Sequence, residues 1–75
     1  MTLDQVLQKL TDICRVMGAD VRYCPERRYL TALAWEDEGE QQARFIQQEI
    51  QRRTATYPEL VCYCFDLFST LVYAI

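Results

Sequence analysis

Four cysteines, Cys14, Cys24, Cys62 and Cys64, are the residues of this 75-residue chain best suited to chemistry. No histidine accompanies them. Its absence removes Ser-His-Asp and Cys-His nucleophile pairs and every histidine-ligated metal site. The two glycines, Gly18 and Gly39, stand far apart, so the usual glycine-rich nucleotide loops are missing too. The cysteine spacing matches neither the common zinc nor the common redox motif, both of which use Cys-x-x-Cys. On a helix Cys62 and Cys64 would point about 160° apart and could not share a metal; on a strand they would share a face. Cys14 falls on the apolar stripe of a helix, where a free cysteine acts as a small buried hydrophobe. No catalytic, cofactor-binding or metal-ligating residue is assigned, no cofactor is expected, and the chain is read as a non-enzyme.

Other polar constellations are weaker. Glu36, Asp37, Glu38 and Glu40 form an acidic run read as a solvated loop, because nothing brings two of these carboxylates together in an apolar pocket. Arg22, Arg27, Arg28, Tyr29 and Trp35 offer an arginine–aromatic surface. Such residues stack bases in single-stranded nucleic-acid binders and also dominate protein–protein hot spots. The net charge of −3 and pI of about 4.7 favour a protein partner over a phosphate backbone.

These groups need elements to position them. Thr2 and Gln5 form a capping box, followed by Leu3, Val6, Leu7, Leu10, Ile13, Cys14 and Met17 at helical spacing; Gly18 closes a helix over 2–17. Val21–Cys24 and Tyr29–Trp35 read as a β-hairpin around Pro25-Glu26-Arg27-Arg28. The rival there is a helix starting at Pro25. Ala43, Ile46 and Ile50 give a second helix over 40–53, whose glutamines 41, 42, 47, 48 and 51 face water. After Pro58, residues 60–75 segregate into an apolar arc of about 180–200° and a polar arc holding Asp66, Ser69 and Thr70, which predicts a third helix. Asp66 breaks this run, so a membrane span is not expected. No internal repeat is evident; the two Pro-Glu pairs, at 25 and 58, are too short to count.

A chain of this length forms one domain, 1–75, and buries only about 60% of its unfolded surface. The expected fold is α+β, helix–β-hairpin–helix–helix, with an all-α four-helix bundle as the alternative. The apolar arc of the last segment exceeds what so small a domain can cover, so a second polypeptide is expected on it, a second copy first of all. The interface residues are Tyr63, Phe65, Leu67, Phe68, Val72 and Ile75, and the possible partner surface is Arg22, Arg27, Arg28, Tyr29 and Trp35. The function expected is an interaction module: adaptor, inhibitor or regulatory subunit. The alternatives are a cysteine-based metal or redox protein and a nucleic-acid-associated protein. No secretory leader is expected from the opening residues, and four free thiols suit the cytoplasm.

Overall fold

Thr2 and Gln5 satisfy each other's backbone: Gln5 N–H donates to Thr2 Oγ1 at 3.2 Å, and Thr2 N–H donates to Gln5 Oε1 at 2.9 Å. This box opens helix α1, Leu3–Val16. In the computed structural model, which describes residues 2–75, α1 ends in a reversal at Gly18, where φ is +93°. Ala19 N–H reaches Cys14 O at 2.9 Å and Gly18 N–H reaches Arg15 O at 3.1 Å, the paired bonds of a glycine C-cap. The turn is tight enough that strand β1, Asp20–Cys24, starts at once and runs back beneath α1. Residues 25–28 then lead into β2, Tyr29–Leu33, completing the expected hairpin.

A 3-10 turn, Glu36–Glu38, leads into α2, Glu40–Thr54. Here the structure departs from the sequence reading. Residues 60–75 are not a helix but a second hairpin, β3 (Leu60–Cys64) and β4 (Ser69–Ala74). Asp66 was expected at the middle of a helix. Instead its carboxylate accepts from Phe68 N–H at 2.8 Å, which turns the chain at the hairpin tip. The polar arc on the helical wheel was the polar turn and its flanks. The fold is therefore α+β, as expected, with two helices and four antiparallel strands; the four-helix bundle is excluded.

The strands lie in the order β1-β2-β4-β3. Both halves of the chain thus have the same αββ plan, meeting where β2 pairs with β4 about Thr31↔Leu71. The plan repeats without a matching sequence repeat: Pro25-Glu26 falls in the first hairpin turn, whereas Pro58-Glu59 precedes β3.

Successive residues of a strand point to opposite faces. One face carries the row Tyr23–Leu30–Val72–Cys62 and, beside it, Val21–Ala32–Thr70–Cys64. Both helices cover this face. Leu7, Leu10 and Cys14 of α1 and Ile46 and Ile50 of α2 close over Val21, Leu30, Ala32 and Val72. Two glutamines expected in water, Gln42 and Gln47, are half-buried and tie α2 to its neighbours, while Gln51 stays exposed. Gln47 Nε2 donates to Asp66 O at 2.6 Å and Thr70 Oγ1 at 3.2 Å, Gln42 Nε2 to Met17 O at 2.6 Å, and Gln51 Nε2 approaches Cys64 Sγ at 3.5 Å.

The alternation predicts opposite outcomes at adjacent residues. Leu30→Ala, in the buried row, should cost about 2–5 kcal/mol of unfolding free energy. Thr31→Ala, on the other face, should stay within about 0.5 kcal/mol of the parent. Urea denaturation of both variants checks this.

Candidate functional site

The second face of the sheet carries no helix. Its twelve strand-register positions fall into three rows: Cys24–Tyr29–Tyr73–Val61, Arg22–Thr31–Leu71–Tyr63 and Asp20–Leu33–Ser69–Phe65. They follow from the pairing registers, with Phe65 joined to the last row by its N–H to Ser69 O at 3.0 Å. None of the twelve is buried. An antiparallel sheet with one face in water ordinarily alternates apolar-in, polar-out. Here the outward positions of β2, β4 and β3 carry Tyr29, Leu33, Leu71, Tyr73, Val61, Tyr63 and Phe65. Phe65 is 62% exposed, Tyr63 56% and Leu33 48%. The rings of Tyr63 and Phe65 pack edge to face with centroids 4.9 Å apart, a preformed aromatic ridge along the β3 edge.

Four strands at about 4.8 Å spacing and five residues at about 3.4 Å rise give this face roughly 320 Å² in projection. This projection includes the β1 edge; the three strands that carry the apolar residues account for roughly 240 Å² of the face. Its charges are confined to the β1 edge, where Arg22 and Asp20 cancel.

The expected interface residues divide between different parts of the fold. Tyr63 and Phe65 lie on the open face, Leu67 and Phe68 at the half-buried tip of the second hairpin, and Ile75 is exposed at the chain end. Val72 is a correction: it is fully buried beneath the helices and unavailable to a partner. Tyr23 also points inward, its hydroxyl meeting Asp4 O at 3.4 Å. Of the arginine–aromatic set, Arg22 and Tyr29 belong to the open face. Arg27 and Arg28 sit at the tip of the first hairpin, where Arg28, at φ +53°, faces Asp4 across 3.5 Å. Trp35 is exposed beyond the end of β2. Sequence reasoning did not single out Thr31, Leu71 and Tyr73, the centre of the face. Their signal was the alternation Ser69-Thr70-Leu71-Val72-Tyr73, which a helical reading dissolves.

Glu36, Asp37 and Glu40 of the acidic run are exposed; the side chain of Glu38 lies outside the described residues. Among the described residues no three His, Cys, Asp or Glu side chains stand close enough to hold a metal ion. The cysteines are free and occupy different surroundings. Cys14 is fully buried in α1, Cys24 lies on the open face, and Cys62 and Cys64 share the helix-covered face of β3. Burial pushes the Cys14 thiol up to about 11, partly opposed by the Arg53 charge. Cys62 rises to about 11 as well, through burial first and then its neighbour Cys64. These thiols stay protonated where a nucleophile or metal ligand would need a thiolate.

Compared with protein-family models, curated proteins and solved structures, the chain matches none of them. No helix in the described residues is long and apolar enough to cross a membrane.

The raised thiols carry a pH prediction. Below the ordinary thiol value of 9.0 folded and unfolded chains both hold these protons. Above it the unfolded chain releases them first, so stability falls as the pH climbs from 9 toward 11. Urea midpoints measured at about pH 8 and about pH 10 should drop across that interval, and the drop should shrink in a Cys14→Ala, Cys62→Ala variant. An equal drop in parent and variant would contradict the assignment.

Proposed function

We propose that this chain is a small non-enzymatic protein–protein interaction module that works as a homodimer, two copies joined through the open faces of their sheets. The observation that carries the reading is the set of apolar outward residues on β2, β4 and β3, which no helix among the described residues covers. The sequence expectation of an association surface near residues 60–75 is kept, but moved from one side of a helix to the outward face of a hairpin and its β2 neighbour.

A second copy is the occupant that the chemistry of the face supports. The face is neutral while the whole chain carries −3, so it is where two copies can approach with least repulsion. It is also asymmetric in a self-complementary way, with charge on the β1 edge and aromatic rings on the β3 edge. A two-fold axis parallel to the strands sets β1 of each copy over β3 of the other. That places Arg22 over the partner's aromatic ridge at Tyr63, a cation–π arrangement, and Thr31 against Leu71 at the centre. A single cation offset by Asp20 suits this better than nucleic acid, whose backbone calls for clustered Lys and Arg. Four free thiols support a reducing, cytoplasmic setting.

Sedimentation velocity at micromolar concentration tests the reading. The parent should sediment at twice the 8.9 kDa chain mass. Leu71→Lys should keep its circular dichroism, because residue 71 points outward, and should weaken association by about tenfold or more, at least 1.4 kcal/mol. A monomeric parent, or a Leu71→Lys dimer as tight as the parent's, would refute it.

A further inference from the structure

A recess of about 260 Å³ opens between the helices, away from the sheet. Val6 and Leu10 of α1 form its apolar wall with Tyr57, while Lys9, Arg52, Arg53 and Thr56 supply polar groups. We propose that this recess binds a small organic anion, a carboxylate carried on an aryl or short aliphatic body.

Four observations converge on that chemistry. The first is charge. Three of the eight Lys and Arg side chains of an acidic protein line one opening, and the single charge of Glu49 is shared between two of them, Arg52 and Arg53. Glu49 accepts from Arg52 at 2.7 and 2.9 Å.

The second is an unused donor. Arg53 Nε is buried and has no hydrogen-bond partner among the described residues; Glu49 Oε2 stands 3.9 Å away, beyond hydrogen-bond reach. A buried guanidinium N–H left without an acceptor is costly, and Nε is closed to the recess, so an incoming carboxylate would meet Arg53 through its terminal guanidinium nitrogens.

The third is that the end of α2 makes little claim on these arginines. Three of its last five carbonyls are already engaged: Ile50 O by the Thr54 hydroxyl at 2.9 Å, Gln51 O by Ala55 N–H at 3.0 Å and Thr54 O by Tyr57 N–H at 3.1 Å. The fourth is size and lining. Benzene fills an apolar cavity of about 150 Å³, so this recess has room for a ring against Val6, Leu10 and Tyr57 with a carboxylate arm reaching the cations.

The recess is built from α1, α2 and the residues after α2, with no residue of the open sheet face. Its occupancy is therefore independent of the proposed dimer. Titration of the full chain with 3-phenylpropionate and with its neutral amide, followed by amide proton–nitrogen shifts, tests it. The carboxylate should give saturable shifts centred on Val6, Arg53, Thr56 and Tyr57, with the neutral amide binding about tenfold more weakly or not at all. Lys9→Glu, at an exposed position, should weaken the carboxylate about tenfold with the spectrum otherwise preserved, while Lys9→Arg should bind as the parent does. No saturable shifts into the low millimolar range, equal response to acid and amide, or shifts centred on the strands would each overturn the proposal.

Discussion

Everything in this fold depends on one burial: the row Tyr23–Leu30–Val72–Cys62, running across all four strands, must be covered. Leu30 and Val72, its two central members, are fully buried. They come from different halves of the chain, and their pairing joins the two αββ units into one sheet. Among the described residues, two helices of 14 and 15 residues provide the cover. Each covers the strands of its own half, α1 over β1 and β2, α2 over β3. Neither helix covers the other face.

That constraint turns a packing fact into a functional one. In a sheet, the residues between buried positions must point away from the core, and their character is free to vary. Charged residues there would make the second face inert toward itself. Tyrosines, leucines, a valine and a phenylalanine make it adhesive. The charged residues sit instead on the β1 edge, on the helices and on the loops. Exposed apolar residues occur outside this face as well, among them Val16 on α1, Phe45 on α2 and Trp35 after β2. The cluster of apolar side chains on the outward face of β2, β4 and β3, around Thr31 and Ser69, is what gives the sheet its proposed role.

Much of this was legible in the sequence, and the reason is local. The Thr2–Gln5 box, the Gly18 turn, the hairpin around residues 25–28 and the Ala43-Ile46-Ile50 stripe each declare themselves within a few residues. Residues 60–75 did not, because strand and helix patterns coincide there. Leu60, Cys64, Leu67 and Leu71 satisfy a helical stripe while Leu60, Cys62 and Cys64 satisfy an alternation. Asp66, the true turn signal, resembles a polar helix position when its partner, Phe68 N–H, cannot be seen. The pairing of β2 with β4 is a contact between residues some forty positions apart, and no local pattern encodes it. Val72 joins the expected interface for the same reason: a helical period sets it in one apolar arc with Leu71, whereas the alternating period sends the two to opposite faces. The recess between the helices needed the packed side chains of Lys9, Arg52 and Arg53, which lie some forty positions apart in the chain.

The most direct measurement of the central claim is an isotope-filtered nuclear Overhauser experiment on a mixture of labelled and unlabelled copies. The account predicts contacts between copies from Leu71, Thr31 and Tyr63, with Arg22 of one copy near Tyr63 of the other, and none from residues of α1 or α2. Contacts between copies that arise from the helices, or a complete absence of them at concentrations where the chain sediments as a dimer, would contradict it.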